Sequence, residues 1–139
     1  MNYYIFAMLT AFCFGLAPIF GKLGLESVNP VIALSIRSFI ISGIMLFWLI
    51  LNKDVSPLID VSMTGWTFIA LEGIFAALLG QLFYYYALKS GDASVVVPLI
   101  AIFPLFTFIA AVLFLGDKFS LTKIGGIISV VVGVILLRL

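Results

Sequence analysis

Glu72 is the side chain whose environment the sequence constrains most, because it is an acidic residue inside the apolar stretch 63–88. At 1.5 Å per residue it lies roughly 10 Å from the start of a helix over that stretch. An ionised carboxylate at this depth costs up to about 3 kcal/mol on insertion scales, so we expect it to be neutral, paired or facing water. It could bind and release a proton or another cation. Alternatively, it extends to the interface near Trp66.

Arg37 is the second charged residue within an apolar stretch, 31–51. It lies at a depth similar to that of Glu72, but its helix starts from the opposite side of the membrane. In one copy the two charges therefore lie in different leaflets, whereas in an antiparallel dimer Glu72 of one copy and Arg37 of the other share a leaflet. We expect them to pair there or to border one polar cavity. The alternative is that Arg37 extends past Pro30 to lipid phosphates.

Four further residues could line a pathway for a ligand or an ion. Gln81 follows Glu72 by nine positions, which in a regular α-helix puts it on the opposite face. It either bonds a neighbouring helix or faces the pathway together with Tyr85. Pro104 has no N–H and leaves the carbonyl of Ile100 without its helical donor. Such interruptions near the midplane are where transporters expose backbone to ligands.

The residue types that carry most enzyme and metal chemistry are scarce. The chain has no histidine and one cysteine, Cys13, which lies in an apolar run and reads as a buried small side chain. A membrane enzyme acting on lipid would need convergent polar groups near an interface, and the sequence offers none. We therefore expect no enzyme activity, no metal and no cofactor. The formal net charge of +1 gives no basic surface for nucleic acid.

The elements that must position these residues are membrane-spanning helices. Of the 139 residues, 65% are hydrophobic and 9% are charged, too few charges to cover a surface that faces water. Five apolar runs are continuous rather than alternating, which favours helices over a transmembrane barrel. The sequence predicts one all-α membrane domain over residues 1–139. Its helices are expected at 3–21, 31–51, 63–88, 93–115 and 121–138.

Small residues recur every four positions in two of these helices. Such stripes let helix backbones approach closely where lipid provides no hydrophobic drive for association. They serve either packing within one chain or contact between protomers. The stripes are Ala7, Ala11 and Gly15 in the first helix and Gly125, Ser129 and Gly133 in the last.

The basic residues are almost equally divided between the two sides of the membrane. Such balance gives little orientation bias by the positive-inside rule, so the chain could insert both ways round or be fixed by a few well-placed charges. An odd number of helices makes two oppositely inserted copies an inverted pair. One side holds the N-terminus with Lys53, Lys118 and Lys123, and the other holds Lys22, Arg37, Lys89 and Arg138.

Several short motifs, taken together, resemble an EamA domain. The second half carries 87–93 (ALKSGDA), 97–99 (VPL), Pro104 and the turn 115–117 (LGD), followed by Gly125-Gly126 and Gly133. The first half carries Phe14-Gly15, Pro18, Lys22, Pro30 and Arg37. Phe14 stands where Trp is common in the family, and Asp117 stands where Glu is common.

The resemblance, which covers nearly the whole chain, places the protein with the drug/metabolite transporter superfamily. It implies a five-helix half of a ten-helix inverted-repeat fold in the cell membrane. We expect an exporter of a small metabolite, amino acid or drug, working by alternating access as an antiparallel homodimer or as a heterodimer with a related chain. A lipid-linked sugar flippase and an accessory subunit of a heteromeric membrane complex are the alternatives.

Overall fold

The computed structural model describes residues 3–52, 60–118 and 120–136, and these ranges form five helices without a strand. We number the helices in chain order. They are α1 (Tyr3–Leu25), α2 (Pro30–Asn52), α3 (Met63–Ser90), α4 (Ala93–Phe114) and α5 (Leu121–Leu136). The all-α membrane architecture predicted from the sequence is thereby confirmed.

Length and composition allow four of the helices to cross a bilayer: α1, α2 (over Pro30–Leu51), α3 and α4. α5 has 16 residues in the described range. At 1.5 Å per residue, these measure about 24 Å. The predicted end of this helix at residue 138 lies outside the described residues, as do Lys53 and Arg138.

Local sequence signals account for where the helices begin. α2 begins at Pro30, one residue before the predicted start at 31, and the side chain of Asn29 accepts a hydrogen bond from the N–H of Val31 at 2.9 Å. Ser62 caps α3 in the same way, accepting from the N–H of Gly65 at 3.1 Å. Both bonds satisfy donors that the first turn of a helix leaves free.

The end of α1 differs from the prediction. The sequence placed it at residue 21, since Lys22 and Gly24 suggested a loop, but the helix continues to Leu25. Leu25 is only 1% exposed. Burial of this leucine favours the extra helical turn, because tertiary packing outweighs the weak local preference of a single glycine.

The chain divides into two compact units, Met1–Ser90 and Gly91–Leu139. In the first unit, the last part of α3 packs against α1 and α2. Three buried leucines, Leu25, Leu34 and Leu88, lie towards the end of the unit where α1 ends, α2 begins and α3 ends. That the whole chain forms a single domain stays a prediction.

α3 is not one uninterrupted α-helix. Met63–Glu72 is α-helical, Gly73–Gly80 is a π-helix, and Gln81–Ser90 is α-helical again. We call Gly73–Gly80 the π segment. Its hydrogen bonds join residues five apart instead of four, a geometry found mostly as single turns within α-helices and often at functional sites. The apolar run 63–88 predicts a regular α-helix, and the π segment departs from that prediction.

In the second unit, α4 is interrupted at its centre. The first part is Ala93–Ile100 and the second is Phe103–Phe114. After α4 the chain turns at Gly116, whose φ of +69° is one that only glycine adopts readily. The N–H of Asp117 then bonds the carbonyl of Ala111 at 3.2 Å, closing the end of the helix. The LGD motif at 115–117 is thus a turn, as the sequence predicted.

Candidate functional site

Glu72 occupies the junction between the first α-helical part of α3 and the π segment. Its side chain is exposed in a single copy. Within the described residues, its carboxylate makes no hydrogen bond or ion pair. The first part of α3, Met63–Glu72, has no buried side chain. Glu72 thus lies on a stretch of helix that this copy leaves uncovered.

Arg37 is likewise exposed, and its guanidinium has no partner among the described residues. The ammonium group of Lys89 donates a hydrogen bond to the carbonyl of Val28 at 2.8 Å, so α3 ends beside the start of α2. Measured from that end, Arg37 lies about 10 Å along its helix and Glu72 about 25 Å, at 1.5 Å per residue. The two charges therefore lie in opposite halves of one copy.

Gln81 is the first residue after the π segment, and both it and Tyr85 are half-buried. The expectation that Gln81 faces away from Glu72 assumed a regular α-helix. A π segment holds about one residue more than the α-helix it replaces, so the residues after it lag by roughly 100°. Glu72 and Gln81 are then separated by roughly 80° around the helix instead of half a turn. That part of the sequence interpretation is corrected.

Pro104 and Ile100 flank the break in α4, as expected for a proline that cannot donate to the carbonyl four residues earlier. At the break, hydrogen bonds join residues three apart instead of four. The N–H of Ala101 donates to the carbonyl of Pro98 at 3.0 Å, and the N–H of Leu105 donates to the carbonyl of Ile102 at 2.9 Å. Pro104 lies in the first turn of the second part, a favourable place for proline. These residues belong to the second unit and Glu72 to the first.

Two lysines form contacts that the sequence analysis did not foresee. Lys22 donates a hydrogen bond to the carbonyl of Leu88, and Lys89 donates one to the carbonyl of Val28, both at 2.8 Å. We call this pair of bonds the lysine clasp. Lysines near the ends of helices often satisfy the last carbonyls, and that position was the available signal. The bonds join α3 to α1 and to the α1–α2 connection.

The two small-residue stripes are uncovered in this copy. Ala7, Ala11 and Gly15 are all exposed, and a Cβ added at Gly15 would meet no described atom within 4 Å. The same open space surrounds Gly125 and Gly133. Ser129 donates to the carbonyl of Gly125 at 2.9 Å. The close approach of α1 occurs instead at Gly21, where an added Cβ would lie 3.2 Å from the side chain of Leu88.

Several hydroxyl groups within the helices bond to carbonyls of their own helix. Thr10 bonds the carbonyl of Phe6 at 2.8 Å, and Thr107 bonds that of Phe103 at 3.3 Å, each one turn back in its own helix. In the described part of the chain, no three His, Cys, Asp or Glu side chains are grouped to hold a metal ion. Glu72 and Arg37 are thus charged side chains, well inside their helices, that have no partner among the described residues.

Comparison with known proteins agrees with the helical membrane architecture. The family model of the EamA-like transporter family matches residues 1–139. A protein of Methanocaldococcus jannaschii, described as uncharacterized, is 32% identical over 135 residues, covering 97% of this chain and 95% of the relative. An uncharacterized transporter in the cobO 3' region of a Sinorhizobium species is 30% identical over 136 residues, covering 98% and 96%. No solved structure matches.

Proposed function

This chain belongs to the EamA-like transporter family, and on that premise we propose that it exports a small metabolite, amino acid or drug as an antiparallel dimer. The chain is a multi-pass integral membrane protein of a transporter family. The direction of transport, the transported compound and the dimeric state are what we propose. We place it in the cell membrane, with alternating access as the mechanism and with no enzyme activity or cofactor.

The observation that carries the proposal is the pair of unpartnered charges in opposite halves of one copy. An intramembrane charge costs about 2.5–3.5 kcal/mol at the centre of a helix and is found facing a polar cavity or a partner. A two-fold axis in the membrane plane exchanges the halves of the two copies. Glu72 of one copy and Arg37 of the other then share one level. Two such pairs would border a cavity between the copies.

The open faces of α1 and α5 support the same arrangement. Helices associate in lipid through small residues that allow close backbone contact. The stripe of Gly125, Ser129 and Gly133 and that of Ala7, Ala11 and Gly15 are available for such contact, because nothing described in this copy covers them. A related five-helix chain could take the place of the second copy.

The test of transport uses the purified full chain in liposomes. A panel of radiolabelled amino acids and the dye ethidium is loaded inside, and the exchange of each compound across the membrane is measured. We expect exchange of at least one compound, and its loss in Glu72→Gln. Glu26→Gln is the matched control, since Glu26 is exposed in the connection between α1 and α2. No exchange of any compound, or equal loss in both variants, would overturn the proposal.

The test of the antiparallel arrangement uses a reporter fused to the C-terminus. Equal signals from both sides of the membrane are expected for a homodimer of opposite copies. A signal from one side alone would eliminate the homodimer and require a related chain inserted the other way round.

A further inference from the structure

The π segment separates two parts of α3 that differ in how they are held. Gln81–Ser90 packs against α1 and α2, its Leu88 is 0% exposed, and the lysine clasp bonds it at two points. Met63–Glu72 has no buried side chain. The later part of the helix is therefore fixed, while the direction of the earlier part is set by the segment that joins them.

Glycine is required at the end of the π segment but not at its beginning. A Cβ added at Gly80 would lie 2.9 Å from the carbonyl oxygen of Phe75, a backbone atom five residues earlier. That distance is shorter than a normal van der Waals contact, and a backbone oxygen cannot move aside cheaply. A Cβ added at Gly73 would meet nothing within 4 Å. The wider turn thus depends on the missing side chain of Gly80.

The register of the π segment determines where Glu72 points. If the segment converted to α-helix without losing a residue, the part before it would turn by roughly 100° relative to the part after it. Because Gln81–Ser90 is fixed, Met63–Glu72 would turn. Glu72 would then move from roughly 80° away from Gln81 to the opposite face.

We propose that the π segment aims Glu72 towards the side of the helix that carries Gln81, and that Gly80 is the positioning residue for Glu72. Gly80 touches no ligand in this proposal. It acts by holding the wider turn, which rotates the uncovered part of α3. The importance of Glu72 rests on the proposed transport function, whereas the rotation itself is a property of the chain that can be measured without a substrate.

The experiment measures the distance between two spin labels by pulsed electron paramagnetic resonance. Cysteines replace Ile19 in α1 and Thr67 in α3, both exposed, in a Cys13→Ser background. The full chain is studied in lipid nanodiscs with an excess of unlabelled protein, so that only distances within one chain are observed. The variants are Gly80→Ala, the matched control Gly73→Ala, and Gly80→Ala combined with deletion of Ala77.

We expect Gly80→Ala to shift the label distance and Gly73→Ala to leave it unchanged. A turn of roughly 100° moves the end of a side chain by about 8 Å, given its distance from the helix axis. Deletion of Ala77 removes the extra residue, so an α-helix then connects the two parts in their original directions. The combined variant should therefore restore the parent distance. An unshifted distance in Gly80→Ala, or no restoration by the deletion, would overturn the proposal.

A variant that keeps Gly80 covers the case in which Gly80→Ala does not fold. Deletion of Ala77 alone should give the parent distance, and a shift of the label distance, which a turn of roughly 100° would change by up to about 8 Å, would again contradict the proposal. The liposome exchange assay on the same proteins separates the two ideas. Absence of exchange in the parent protein would reject the transport function, while the distances would still decide whether the π segment sets the direction of Glu72.

Discussion

The ammonium group of Lys22 in α1 donates a hydrogen bond, 2.8 Å long, to the backbone carbonyl of Leu88 near the end of α3. Sixty-six positions of sequence separate the two residues. The side chain of Leu88 is fully buried, so the contact combines a charged hydrogen bond with apolar packing at one point. Together with the bond from Lys89 to Val28, it fixes the helix end from which the depths of Arg37 and Glu72 are measured.

Replacing Lys22 by methionine should destabilise the first unit. The change keeps an apolar stem of similar length but removes the donor to the Leu88 carbonyl. We expect a loss of about 1–2 kcal/mol in the free energy of unfolding, the scale of a half-exposed hydrogen bond from a charged group. Unfolding in detergent, followed by circular dichroism, measures it. The control is Lys123→Met, because Lys123 is exposed and unbonded within the described residues. Equal stability of the two variants would contradict the role of the bond.

Gly21 should tolerate a larger side chain poorly. An added Cβ would lie 3.2 Å from Cδ2 of Leu88, and a valine would add further atoms in the same space. Overpacking of this kind costs about 1–3 kcal/mol. Gly24→Val in the same helix is the control, since an added Cβ there meets nothing within 4 Å. Thermal unfolding of the two variants should differ, with Gly21→Val the less stable, and the reverse order would refute the close approach.

The α5 stripe should mediate contact between copies. Gly125→Leu and Gly133→Leu should leave the isolated chain folded, because an added Cβ at either glycine meets no described atom within 4 Å, but they should weaken self-association by preventing close helix contact. Energy transfer between donor- and acceptor-labelled copies in liposomes measures the association. The control is Gly126→Leu, which changes the neighbouring position, also open, and should leave self-association unchanged. If all three variants associate equally well, the stripe is not an interface.

Exchanging the two intramembrane charges should restore the self-association that each single change weakens. Glu72→Arg and Arg37→Glu each place like charges together in an antiparallel dimer. We expect each to weaken association by about tenfold or more, equivalent to 1.4 kcal/mol. The double exchange recreates opposite charges at both sites, and association measured by the same energy transfer should recover. Additive losses in the double variant would show that the two residues do not face each other.

The starting points of the helices and the break in α4 were accessible from sequence because their causes are local. Pro30 begins α2, and Pro104 removes a donor four residues after Ile100. The apolar runs alone were sufficient for the helical membrane architecture and, with the motifs, for the family.

The π segment and the lysine clasp were not accessible in the same way. Gly80 alone does not predict a π-helix over Gly73–Gly80, because the same sequence could also form an α-helix. The position of Lys22 near a helix end indicates a carbonyl partner, but the partner lies in another helix, so the sequence does not say which carbonyl it is. The register between Glu72 and Gln81, which depends on the π segment, therefore could not be derived from spacing alone.

The buried leucines of the first unit lie at one end, so its helices are held there and would tilt about that end. α1 contains 23 residues, about 35 Å at 1.5 Å per residue. With the fulcrum near Leu25, a tilt of about 10° would carry the far tip of α1 through about 6 Å. The opposite end of the first unit is therefore the end that a small tilt of its helices displaces most.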